Sequence, residues 1–65
     1  MSTPLPKTAA PARRALANAG YDDLESLATA TEREVADLHG MGPKALATLR
    51  EALAEHGLSF RADPG

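Results

Sequence analysis

The residues best suited to chemistry in this 65-residue chain are consecutive: His39-Gly40-Met41-Gly42-Pro43-Lys44. Two glycines one residue apart, a proline and a lysine precede leucines at helical spacing. Read as a helix start, the stretch puts Gly42 at the N-cap and Pro43 at the first helical position, where a missing N–H costs nothing. Lys44 and Ala45 follow, and their backbone N–H groups, with that of Leu46, are expected to lack partners inside the helix. Such an end carries the positive pole of the helix dipole and suits a phosphate or another anion. Gly40 and Gly42 have no side chain to hold a phosphodiester away, and at least one should take a φ that other residues avoid. Lys44 opposes the dipole by about 0.3–1 kcal/mol, and a bound phosphate would reverse that sign. The plainer alternative is a tight interhelical turn with a solvated lysine. Met41 reads as a core plug beneath the turn, and His39 either as a phosphate neighbour or as a cap of the preceding helix.

Other chemistries find little support. There is no cysteine, neither histidine has an acid partner at useful spacing, and no Gly-rich loop has the Walker pattern. Asp22 and Asp23 before a helix read as N-terminal caps rather than metal ligands. No catalytic residue, metal or cofactor is expected, and the chain is not read as an enzyme. No apolar run approaches the roughly 18 residues of a membrane span, and the N-terminus lacks the apolar core of a secretory signal. A cytoplasmic location and no membrane partner are the expectation. The net charge of −2 gives no overall pull on nucleic acid. Distribution matters more: the acids gather at Asp22, Asp23, Glu25, Glu32, Glu34 and Asp37. Lys7, Arg13 and Arg14 lie early, and Lys44 and Arg50 late. If early and late segments meet, one face is basic, with Arg13, Arg14 and Lys44 in it, and another acidic; the plainer alternative is that these charges simply keep the domain soluble.

Positioning these residues falls to short helices. Alanine and leucine dominate the apolar residues, and Tyr21 and Phe60 are the only aromatics, which favours an all-α fold over a sandwich or barrel. Residues 1–7 read as a flexible arm, 8–60 as the domain and 61–65 as a flexible tail. Within the domain, a first helix from Thr8 or Ala10 to Ala19 ends at Gly20, a residue free to take positive φ. A short second helix follows Asp22 or Asp23, with Glu25 in a capping-box-like spacing from Asp22. Thr31 and Glu34 form the capping box of a third. The fourth starts at Gly42-Pro43, carries Leu46, Leu49 and Leu53 inward, and stops at Gly57, with Leu58 closing back on the last turn and His56 near the negative pole. Leu16, Leu24, Leu27, Val35, Leu38, Leu46, Leu49 and Leu53 make the expected core of a compact four- to five-helix bundle.

The chain also echoes itself. Leu16, Gly20, Leu24 and Leu27 recur 22 residues on as Leu38, Gly42, Leu46 and Leu49. Two helical hairpins packed about a pseudo-twofold axis are expected, each covering the apolar face the other leaves open. Their bends differ in charge. Asp22 and Asp23 after Gly20 would repel a phosphate, whereas Gly40 to Lys44 contains no acid.

The segment "LHGMGPKALATLREAL" resembles a helix-hairpin-helix motif, and the span from about Leu5 to Phe60 resembles the C-terminal domain of the bacterial RNA polymerase alpha subunit. The likeness is closest from Leu27 to Phe60, ending in Gly57-Leu58-Ser59. That resemblance implies a SAM-like bundle, binding to the minor-groove phosphates of double-stranded DNA, and a link to transcription. It places Gly42, Lys44 and Ala45 on the DNA-contact segment, where the family often has serine at the position of Ala45. It puts the family's principal first-helix arginine near Pro11, with Arg13 and Arg14 one turn on. The polymerase-assembly domain is absent from the sequence, so a stand-alone relative is expected.

Two functions follow as expectations. One is a non-catalytic, weak and sequence-tolerant duplex-DNA binder using Gly40, Gly42, Lys44, Ala45, Arg13 and Arg14, mostly on phosphates. The other is a protein-interaction module of the same fold, meeting transcription or repair proteins through its acidic face. Nothing in the residues fixes an oligomeric state.

Overall fold

The computed structural model describes residues 3–62. Of the expected arm and tail, Met1, Ser2 and Asp63 to Gly65 lie outside the described residues. Among the described residues four helices follow one another: α1 (Ala10–Ala19), α2 (Leu24–Leu27), α3 (Glu32–Ala36) and α4 (Pro43–Glu55). Among the described residues the only extended pairings are isolated bridges, Pro4 with Asp23 and Thr31 with Arg61.

Each helix begins and ends for a local reason. Pro11 sits in the first turn of α1, where no intrahelical donor is lost. Thr8 does not cap that helix. Its hydroxyl is buried without a partner among the described residues, and Ala9 takes the N-cap position with no side-chain bond. At the other end Gly20 has φ +88°, its N–H reaches the Ala17 carbonyl and that of Tyr21 the Leu16 carbonyl, a Schellman closure. The same closure ends α4, where Gly57 has φ +71° and the Leu58 N–H donates to the Leu53 carbonyl at 2.7 Å.

The capping box of α3 forms as expected from Thr31 and Glu34. That of α2 is shifted from the expected pair. Asp23, not Asp22, caps α2, and its reciprocal partner is Ser26 rather than Glu25. Glu25 is thereby free to hold the N-terminal arm: its carboxylate accepts from the Thr3 N–H at 2.7 Å and from the Thr3 hydroxyl at 2.6 Å. Those two bonds, the hydroxyl's first, keep the Glu25 pKa below its usual value. At the other terminus Arg61 donates from its backbone N–H to the Ala30 carbonyl, from Nε to the Thr29 carbonyl and from its guanidinium to Glu34. Glu34 is held below its usual pKa first by the Thr31 N–H, then by the Thr31 hydroxyl, with Arg61 adding to both.

The core gathers Leu16, Leu24, Leu27, Ala30, Val35, Leu49 and Leu53. Burying one such leucine contributes about 1.5–3 kcal/mol, so these few side chains carry most of the drive to fold. Leu38 and Leu46, expected inside, are only half-buried against this cluster. Both flank the second bend, where the turn opens the helix pair to solvent. Ala12 and Ala15 are buried on the inner side of α1, their small side chains allowing close approach of the neighbouring backbone. No helix among the described residues is long and apolar enough to cross a membrane.

The internal echo is real in form but differs in register. Gly42 does not repeat Gly20: it is extended, with φ −101°, and serves as an N-cap. The conformational counterpart of Gly20 is Gly40, with φ +96°. Tyr21 and Met41, which follow those two glycines, both pack half-buried on the core. The N-caps Asp23 and Gly42 are then the matching pair.

Candidate functional site

The second bend joins α3 to α4 in few residues. The Met41 N–H donates to the Leu38 carbonyl at 3.0 Å, and Gly40 takes the left-handed backbone that closes the turn. Gly40 also abuts α1. A Cβ built on it would lie 2.8 Å from the Pro11 carbonyl oxygen, closer than real Cβ contacts come. Its glycine is thus required by backbone conformation and by helix packing. Gly42 is under neither constraint: its φ is ordinary, and no atom of the described residues lies within 4 Å of a Cβ placed there.

From Gly42 the chain enters α4 with Pro43 in its first turn and no side-chain cap. The Leu46 N–H, expected to be open, donates to the Gly42 carbonyl at 3.0 Å, because an N-cap carbonyl already accepts the first intrahelical bond. The amides left over are those of Lys44 and Ala45, neither with a partner among the described residues. Lys44 is exposed, and Ala45 is 9% exposed. What Ala45 can offer a ligand is therefore its backbone N–H, its methyl facing the protein.

The first bend is built the other way. At the start of α2 the Leu24 N–H is taken by the Thr3 carbonyl at 2.9 Å and the Ser26 N–H by the Asp23 carboxylate at 2.7 Å. The Asp23 N–H goes to the Ser26 hydroxyl. These three donors are used and the Asp22 and Asp23 carboxylates stand beside them, so this bend suits an anion less than the second.

The cations separate in a similar way. Arg50 is paired with Glu32 at 3.0 Å and Arg61 with Glu34 at 3.3 Å. Lys7, Arg13, Arg14 and Lys44 have no acidic partner among the described residues. Arg14 lies on the hairpin side of α1, lining a cleft of about 480 Å³ with Pro11, Ala15, Leu38, His39 and Gly40. Arg13, paired with it in the sequence reading, is not among those residues. It lines a second cleft, of about 590 Å³, with Leu5, Tyr21 and Asp22, which Arg14 also borders. The structure thus joins Arg14 to Gly40 and adds exposed His39, and turns Arg13 toward the first bend. Pro11 joins the cleft through its packing against Gly40. The i, i+4 spacing of Pro11, Ala15 and Ala19, which puts three compact apolar residues on one face of α1, is its signal in the sequence.

Among the described residues no group of three or more His, Asp or Glu side chains is arranged to hold a metal ion. A family model described as SAM-like helix-hairpin-helix tandem matches residues 6–55. No curated protein matches the chain at a significant level. The matched span takes in all four helices, α1 to α4. The chain belongs to the SAM-like helix-hairpin-helix tandem family.

Proposed function

We propose that this domain is a non-catalytic module that binds double-stranded DNA through its second hairpin, chiefly by phosphate contacts. The observation that carries the reading is the start of α4: two open amides, at Lys44 and Ala45, behind a Gly42 whose missing side chain no internal constraint explains. A phosphate there would accept from both amides, gain from the helix dipole and neutralise Lys44. Arg14, from the adjacent face of α1, supplies a second cation and His39 a further polar neighbour. Arg13 reaches a phosphate only if the DNA backbone continues over the second cleft. Pro11, standing where the resemblance puts the family's principal arginine, contributes packing instead of charge, so affinity is weak. The resemblance to the C-terminal domain of the RNA polymerase alpha subunit supports a role in transcription.

Fluorescence anisotropy with labelled duplexes of unrelated sequence tests this. Binding at low salt should differ little between duplexes, and with Lys44 and Arg14 each neutralising one phosphate log K should fall against log salt with a slope of about −2. Absence of binding at low salt would favour the protein-interaction reading.

A further inference from the structure

We propose that the cleft between α1 and the second hairpin is a docking slot for an acidic peptide segment carrying one large apolar side chain. A phosphate backbone explains Arg14 and His39 but not what lies between them. Ala15 is buried and Leu38 half-buried at the base of the cleft, and Pro11 and Ala19 form apolar walls. Phosphodiesters have no apolar group to place there, whereas a leucine or phenylalanine side chain leaves water on entering such a slot, a favourable transfer.

The rim selects the charge. Arg14, Asn18 and His39 are exposed along it, and among the described residues no Asp or Glu lines the cleft, although the chain carries nine acids against seven Lys and Arg. Arg14 has no acidic partner among the described residues, so its guanidinium is open to a carboxylate, which it matches with two parallel hydrogen bonds. An apolar anchor flanked by aspartate or glutamate therefore complements both floor and rim. A basic segment would meet only like charge. Because Arg14 also belongs to the proposed DNA surface, the peptide and the duplex should exclude one another. That competition rests on the DNA reading, whereas peptide binding itself does not.

The test uses the full chain and a fluorescent synthetic peptide with one central phenylalanine flanked by aspartate and glutamate. The control peptide has serine in place of phenylalanine. Two variants divide the site. Ala19→Leu fills the slot from an exposed helical position with a good helix former, and Arg14→Ala removes the rim charge. The phenylalanine peptide should bind, the serine peptide should be weaker by about tenfold, and each variant should lose a similar factor, as expected when one buried anchor is lost. Ala19→Leu should leave duplex binding intact and Arg14→Ala should weaken it. Equal binding of the two peptides, no binding of either, or an unaffected Ala19→Leu protein overturns the slot. Peptide saturation that leaves duplex affinity unchanged overturns the sharing of Arg14. A chain that takes the peptide and no duplex keeps the slot and defeats the DNA reading.

Discussion

The backbone of Gly40 lies against the carbonyl of Pro11 so closely that a single added carbon would sit 2.8 Å from the oxygen. This contact fastens the second hairpin to α1 and brings Arg14 beside it.

The two hairpin glycines should therefore respond differently to substitution. Gly40→Ala combines left-handed strain, worth about 1–2 kcal/mol, with the Pro11 clash, and should lower the melting temperature clearly. Gly42→Ser should be neutral or stabilising by a few tenths of a kcal/mol, since serine is the better N-cap. Thermal unfolding followed by circular dichroism reads both, and equal losses would mean that Gly42 is structurally constrained after all.

Much of this architecture is legible in the residues because local chemistry decides it. Thr31 with Glu34, Gly20, Gly57 and Gly42-Pro43 are each explained by donors and acceptors within a few positions. What is not legible depends on distant partners. Glu25 looks like the reciprocal cap of Asp22 until Thr3, far off in sequence, takes its carboxylate. Gly20 and Gly42 look equivalent by spacing because nothing local distinguishes a left-handed glycine from an N-cap glycine. Arg13 and Arg14 look like one unit, yet helical geometry turns neighbouring residues about 100° apart, and only Arg14 reaches the hairpin cleft.

Lys44 should separate folding from binding. Lys44→Glu replaces a cation with a carboxylate in the first turn of α4, and should raise stability by about 0.3–1 kcal/mol while abolishing duplex binding. A variant that melts earlier than the parent would show that Lys44 has a structural partner.

Leu49 is fully buried, and Leu49→Ala should cost about 2–5 kcal/mol. In a domain this small that is enough to populate the unfolded state at ambient temperature. Urea unfolding measures it, and a loss under 1 kcal/mol, well below the usual range, would contradict a single shared core.

Acid should loosen the two terminal attachments first. Folding lowers the pKa of Glu25 and Glu34 from an ordinary value of 4.5. Their contribution is therefore fully present above that pH and is lost as pH falls below it, through the folded values. Melts between neutral pH and pH about 3 should show this loss, and Glu25→Gln should reduce its size. The Thr3 amide resonance should shift as Glu25 protonates. A Thr3 resonance that does not move over that range would contradict the Thr3–Glu25 attachment.

The central claim, that the second hairpin is the DNA-facing end of the molecule, is tested most directly by amide chemical shifts on adding duplex DNA at low salt. Resonances from Gly40 through Leu46 and around Arg14 should move, and none from Asp22 to Glu34 by a comparable amount. Shifts confined to Asp22–Glu34, or no shifts anywhere, would contradict it.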